Sequence, residues 1–564
     1  MTPAALPRNT PPVRSGPGRR PAGRTAHPSL DDPHEITAAG AAGRRGVRAA
    51  AGRGGRPAPA FLALSGLVIL ASVAVRIALL GRQSYWIDEL FTVRETSGSL
   101  DQLRRLASTE VHPPLYALLL WTWTRLGDSH EVWTRLLSTL CAVVSVVVAH
   151  RGLHGVRLDR HVHWGLTVAT AAGGTSIVYS VDTRSYAPLL LSSVGLTAAT
   201  LRAATRVLDR EAVPFPTRLA WCGWSLAAAT LHLFGAILTL GALAVLAVTT
   251  AARAPGRRAA GVASWVALAV LGCSLQGAWL LHGRGVPGFA AGTAWIPAPT
   301  RQDVWDLLTT TINAGGLRMH RDGFAWTSPA GVIALALLCL VALAGRLAGR
   351  STGRGRARAT APAVTTEAPA AAVLLALAAV VVLGAFSVSQ WRHLWTLRNM
   401  IVVAPALTWG LLCLAATAAR TAAGRRWVAT AAVTLLGASL VPVTLGIGQP
   451  YKTDFRGLFD ELVAVRRTRP DATFVFLRVD PTRWQAASDL RPDDPAWRTL
   501  YQHVQVYPTT TPGALRTPGT EVVTFYRGVV DPRLDQEVDG LIALLGHGSC
   551  RRIPLQGLGV VRCG

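Results

Sequence analysis

Two adjacent carboxylates open the chemistry of this chain. Asp88 and Glu89 stand in Ser84-Tyr-Trp-Ile-Asp-Glu-Leu-Phe-Thr, directly after a long apolar segment, and His112 follows one loop later in His112-Pro-Pro-Leu-Tyr. A carboxylate held beside a hydroxyl can take its proton. Neighbours on a helix diverge by about 100°, so the two acids do not readily aim at one point. One is expected to act on a substrate while the other holds the loop or a metal. The plainer alternative is an N-cap Asp followed by a first-turn Glu. His112 is kept out of the helical region by Pro113, and Pro114 suits the first turn of a helix. It is either structural or a partner of Asp88 on the same face.

Arginines form the second set. Arg184 lies in Tyr179-Ser-Val-Asp-Thr-Arg-Ser-Tyr186, and Arg392, His393 and Arg398 lie in Trp391-Arg-His-Leu-Trp-Thr-Leu-Arg-Asn-Met. A guanidinium grips phosphate oxygens in a fork geometry. The alternative for each is a side chain snorkelling to a membrane interface. His232, and then Arg318, His320 and Arg321, are lesser candidates. The chain carries no G-x-x-x-x-G-K loop, no Rossmann glycine run and no G-x-S-x-G elbow.

The elements that must position these residues are membrane helices. Half of the 564 residues are hydrophobic, and they fall in blocks of about 17–22, enough to cross a hydrocarbon core of about 30 Å. The net charge of +26 could suggest nucleic acid. The arginines, however, cluster between apolar blocks as the positive-inside rule requires, so no nucleic-acid partner is expected. Lys452 is the sole lysine, which reads as coding bias without functional content.

Residues 1–57 carry ten arginines and no apolar periodicity, and read as a disordered cytoplasmic tail. The first span covers about 60–80, which puts the loop 81–131 outside. The apolar run 114–126 is about 20 Å long as a helix, too short to cross. It is expected to lie flat, with Trp121 and Trp123 at headgroup depth. Further spans then fall at about 132–150, 162–180, 186–203, 218–233, 235–252, 261–281, 329–346, 370–388, 399–418 and 427–446. With these, five basic clusters, from Arg151/Arg157/Arg160 to Arg420/Arg425/Arg426, land inside. The fold expected is mainly α: a polytopic bundle of about eleven spans over 58–447, with juxtamembrane helices in the first outer loop. A small extracytoplasmic α/β domain should occupy 448–564, with strands at 474–477 and 522–526 and helices near 454–467 and 531–545. Five cysteines lie inside apolar blocks and suit the core. Cys550 and Cys563 bracket a short terminal segment, and a disulfide between them is expected.

The succession of a first span, Trp86-Ile-Asp-Glu, His112-Pro-Pro-Leu-Tyr, a flat aromatic helix and Gly127-Asp-Ser-His-Glu-Val-Trp-Thr-Arg135 resembles the glycosyltransferase C superfamily. Within it, family 39, with its protein O-mannosyltransferases and lipid A aminoarabinose transferases, is the nearest likeness. The turn from Tyr179 to Tyr186 is similar to that family's Tyr-Ser…Arg-x-Tyr. The likeness is strong over 60–205, diffuse through the later spans and weak over 448–564.

The resemblance implies a multi-pass cell-membrane enzyme, to which the charge pattern assigns a cytoplasmic N-terminus and an extracytoplasmic C-terminal domain. It implies sugar transfer, with inversion, from a polyprenyl-phosphate donor in the membrane lipid. The sugar would be a hexose or pentose, mannose included, and the acceptor hydroxyl would belong to a protein, a lipid or a cell-wall glycan. Catalysis would fall to Asp88 and Glu89, which in some members hold a divalent cation such as Mg or Mn. Donor-phosphate or substrate binding would fall to His112, Arg184, Tyr186, Arg392 and Arg398. The family's late Arg-Tyr motif is matched only as Arg398-Asn399 followed by Pro405, which leaves the phosphate ligand open between Arg398, Arg392 and Arg184. A transporter or flippase of lipid-linked glycans is the chief rival, and a catalytically silent scaffold the second. Transporters place functional charges near the midplane of their spans; here the candidates sit at the outer ends.

Overall fold

The computed structural model describes residues 57–108, 110, 112–127, 129–253, 258–286, 296–312, 317–320, 323–326, 367–419, 421–448, 452, 454–468, 473–477 and 522–527. It also describes parts of 536–563. The tail 1–56 and the expected span 329–346 lie outside the described residues.

The chain is a multi-pass membrane protein. Seven described helices are long and apolar enough to cross a membrane. They are α1 (Pro59–Leu79), α5 (Glu131–Leu153), α8 (Tyr186–Leu208), α10 (Leu233–Arg253), α11 (Arg258–Gly283), α13 (Glu367–Arg392), and a 3-10 turn (Asn399–Val403) that runs into α14 (Ala404–Ala418), with the shorter α12 (Arg301–Ile312) between α11 and α13. Between α1 and α5 the first loop folds into three short helices: α2 (Ile87–Ser97), α3 (Leu100–Ala107) and α4 (Leu115–Arg125). Leu67, Leu70 and Ile77 of α1 are more than half exposed, an arrangement that lipid tolerates and water does not.

Helix α8 runs through the middle. Its span is 89 % buried against 22 % for α11. The sequence explains this, because Ser192, Ser193, Gly195, Thr197 and Thr200 are small enough to let neighbouring helices approach closely. The hydroxyls of Ser192, Ser193 and Thr200 donate to the carbonyls of Pro188, Leu189 and Leu196, which satisfies those three despite their burial.

One expected span is broken. The segment 162–180 is α6 (Arg160–Ala172) and α7 (Gly174–Ser180), interrupted at Gly173. The buried Arg76 of α1 stabilises the break, donating to the Ala171 carbonyl at 2.7 Å and to Ser176 Oγ at 2.8 Å. It thereby caps one of the carbonyls that a helix end leaves without partners. The boundary expected between the spans 218–233 and 235–252 falls at His232, between α9 (Phe215–Leu231) and α10. Gly235 is required there, because a Cβ at that position would meet the Ala228 carbonyl oxygen at 2.0 Å. The last expected span is α15 (Ala422–Gly448).

Helix α4 occupies the run expected to lie flat. Pro114 stands at its N-cap and not in its first turn. Its tryptophans are tied into the protein: Trp121 donates to the Gly98 carbonyl at 3.0 Å, and Trp123 stacks on Trp133 at 4.7 Å. Gly127 permits that stack, since a Cβ there would lie 2.3 Å from the Trp133 ring.

After α15 come α16 (Phe455–Thr468) and a four-stranded sheet ordered β3 (Thr473–Leu477), β4 (Val522–Arg527), β6 (Leu558–Cys563), β5 (Cys550–Leu555). β3 and β4 are parallel; β6 is antiparallel to both β4 and β5. Both runs expected as strands are strands, and Pro554 falls on the edge strand β5, where a missing N–H costs no ladder bond. Cys550 is disulfide-bonded and faces Cys563 in register.

Candidate active site

The N-terminus of α2 sets the site. Trp86 is extended and occupies the N-cap, which puts Asp88 second and Glu89 third in the helix. Asp88 is therefore not the N-cap of the plainer reading. Glu89 reaches back to accept the Trp86 backbone N–H at 3.3 Å. As the 100° divergence requires, the two acids then part company.

Glu89 points inward and is fully buried. Its Oε1 accepts from Arg135 Nε at 2.8 Å and from the Thr183 N–H at 2.7 Å, and its Oε2 from Arg135 Nη2 and Lys452 Nζ, both at 2.8 Å. Lys452 also donates to Asp182 Oδ1 at 2.7 Å, which accepts the Trp86 indole N–H at 3.0 Å. Arg135 spends its remaining donors on the carbonyls of Leu80, Gln83 and Ser84. Two acids and two bases thus form a buried, formally neutral quartet. Burial opposes the ionisation of Glu89, but Arg135 and Lys452 overcome it and hold the carboxyl well below the usual range.

Asp88 faces the other way. Its Oδ2 accepts from Arg398 Nη1 at 2.8 Å, and its side chain is 23 % exposed where that of Glu89 is 0 %. That difference leaves Asp88 as the acid with an open side. The Arg398 guanidinium also lies over the Trp86 ring, 5.1 Å from its centre. Arg184 ties into the same helix, donating from Nη1 to Thr92 Oγ1 at 2.7 Å and to the Asp88 backbone carbonyl at 3.2 Å. Its Nε is buried without a partner among the described residues.

His112 stacks on His232 with ring centres 4.0 Å apart, and its Nδ1 is likewise buried and unpartnered among the described residues. Burial first, then the charges of Arg184 and Arg398, push its pKa down to about 3. The folded state therefore keeps His112 neutral, while the unfolded chain protonates it below about 6.5. The unfolded state binds more protons in that window, so this contribution to stability is present above the unfolded value and is lost as pH falls towards the folded one. A His112→Gln protein should thus lose less thermal stability between pH 7 and pH 5 than wild type, measured as parallel melts. Equal losses would remove the buried neutral imidazole from the account.

Tyr186, the first residue of α8, packs on Tyr179 at 5.0 Å and lies 6.4 Å from His232. The structure thus gathers Asp88, Glu89, His112, Arg184, Tyr186, His232 and Arg398. It leaves out Arg392, which is exposed at the end of α13. Arg318 and His320 fall in a separate two-stranded hairpin, β1 (Leu317–His320) of a pair with Gly323–Trp326, and Arg321 lies outside the described residues.

Three residues of the quartet escaped sequence reasoning. Arg135 and Asp182 stand inside the motifs above without a role of their own, and Lys452 reads from the sequence as compositional. The available signal was its singularity: a chain that uses arginine everywhere else keeps one compact ammonium. The segment around it is stitched to the first loop. Arg456 donates to Glu131 Oε1 at 2.8 Å and to the Gln83 carbonyl at 3.2 Å.

The acidic pair does not fit a divalent cation. Hard cations require several free oxygens, whereas both Glu89 oxygens are taken by cationic and amide donors and Asp88 faces Arg398. Among the described residues, neither acid belongs to a group of three converging His, Cys, Asp or Glu ligands.

No family model matches the chain, and no curated protein matches it. Solved structures do resemble it in outline. ArnT from Cupriavidus metallidurans bound to undecaprenyl phosphate aligns with a TM-score of 0.46 at 14 % identity, over 88 % of this chain and 97 % of that one. Its apo state aligns at 0.47 and 13 %, with the same coverage. An Archaeoglobus fulgidus oligosaccharyltransferase in complex with Zn and sulfate aligns at 0.42 and 13 %, over 82 % and 67 % of the two chains.

Proposed function

We propose that this chain is a membrane glycosyltransferase that moves a sugar, with inversion, from a polyprenyl-phosphate donor to an acceptor hydroxyl on the extracytoplasmic side. The observation that carries this reading is the open carboxylate of Asp88 held by Arg398, with Arg184 bonded to the backbone carbonyl of the same residue and each of Arg184 and His112 keeping a buried nitrogen without a partner among the described residues. The motif resemblance over 60–205 supports it independently.

In the proposed step, Asp88 takes the proton of the acceptor hydroxyl while that oxygen bonds to the anomeric carbon. The bond from that carbon to the phosphate oxygen breaks, and its electron pair leaves with the polyprenyl phosphate. A phosphodiester donor carries a good leaving group, so one carboxylate suffices, unlike a glycosidase, which must protonate a poor alkoxide. Arg398 and Arg184 stabilise the charge that grows on the departing phosphate. Arg398 is bonded to Asp88 in the present state; a donor phosphate competes for the guanidinium and frees Asp88 to act as base. Glu89 serves as a positioning residue, and the step needs no metal. The acceptor class and the sugar, hexose or pentose, are set by groups beyond this cluster.

The test is sugar transfer from synthetic polyprenyl-phosphate donors by the full chain in detergent. Arg184→Met should raise the donor KM about 10–100-fold, the loss of a hydrogen bond to a charged group, while Arg392→Met leaves it unchanged. Translocation of a lipid-linked glycan in proteoliposomes with no transfer in detergent would establish the flippase instead.

A further inference from the structure

A second cluster of ligating side chains lies at the far end of α5. His150 is fifteen residues beyond Arg135 on that helix, about 22 Å along its axis, on the face that carries Arg151, Arg157 and Arg160. His154 follows at the C-cap one turn later, and His163 projects from the first turn of α6. One ligating nitrogen from each of the three lies within 4.8 Å of the others. His163 Nε2 is 3.2 Å from His150 Nδ1, and the three ring centres are 4.8–4.9 Å apart.

One imidazole–imidazole hydrogen bond accounts for two of these rings. It does not account for His154, which is exposed and free to point into solvent. His161 cannot be a fourth member, because it is turned to Asp159 at 3.2 Å.

We propose that His150, His154 and His163 bind a borderline transition-metal cation of the Zn2+ class, which clips the end of α5 to the start of α6. Three neutral imidazoles suit Zn2+, Ni2+ or Co2+ and not Mg2+ or Ca2+, which demand oxygen. A tetrahedral Zn2+ about 2.1 Å from each nitrogen sets those atoms about 3.4 Å apart. The His150–His163 pair already has that separation, and only the exposed His154 must swing inward. Arg151 and Arg202 oppose a cation here. At a solvent-exposed edge the high dielectric of water weakens that repulsion, which makes it a modest term against three metal–nitrogen bonds. A water fills the fourth position.

The test uses the full chain in detergent, purified through a tag without histidines, stripped with chelator and titrated with Zn2+ against a chromogenic competitor. One equivalent should bind, should resist displacement by excess Mg2+, and should raise the melting midpoint. His154→Ala and His163→Ala should each weaken it at least ~100-fold, since even an outer-sphere partner is worth 10–100-fold, and His282→Ala should not. His154 is exposed, so its variant keeps the fold and isolates the ligand effect. Absence of a bound equivalent, or equal affinity in His154→Ala and wild type, overturns the assignment.

Discussion

An Asp88→Asn protein should fold, bind its lipid donor and transfer sugar about 10²–10⁴-fold more slowly than wild type, the range general-base catalysis contributes. Asparagine keeps the shape of the side chain and an acceptor oxygen for Arg398, so the contact at 2.8 Å can survive while the base is lost. The melting midpoint should therefore barely move. Glu89→Gln provides the contrast. That carboxylate is fully buried and receives four close donors, so its neutral isostere should fail first in stability and expression. Turnover of radiolabelled sugar, read beside a melt of each variant, separates the roles. Wild-type turnover in Asp88→Asn would remove the base assignment.

The two acids also show how far the residues alone could be read. Their divergence on a helix was legible because it follows from 3.6 residues per turn. Which of them turns inward was not, since that depends on Arg135, Asp182 and Lys452, separated by up to 363 residues from Glu89. The helices were legible from apolar block length, and so were the strands at 473–477 and 522–527. The interruption at Gly173 was hidden because hydropathy averages across a break, and it is the Arg76 side chain that stabilises it; the division near His232 was legible as a boundary between two short apolar blocks. Arg392 and Arg398 looked equivalent in the same turn, six residues apart. A guanidinium inside and one in solvent differ by how α13 ends, which periodicity does not fix.

Lys452→Met should be among the most damaging substitutions in the chain, costing about 3–5 kcal/mol, the range for removing one partner of a buried ion pair. Lys452 is 3 % exposed and bonds Glu89 at 2.8 Å and Asp182 at 2.7 Å, so its loss leaves two buried carboxylates facing one guanidinium. The cause proposed is charge imbalance and not lost packing, and a second substitution tests that. Asp182→Asn in the same protein restores neutrality, because Glu89 and Arg135 remain as a bidentate pair, and the new amide oxygen can still accept the Trp86 indole. The double variant should recover much of the stability, with a coupling of about 0.5–3 kcal/mol. As the sole lysine, Lys452 also reports on itself. Apart from the N-terminal amine, an amine-reactive reagent has no other primary amine to modify, so labelling should be slow in wild type and accelerate in Asp182→Asn. Additive losses in the two substitutions, together with fast labelling of the wild-type protein, would show that the quartet does not hold the first loop.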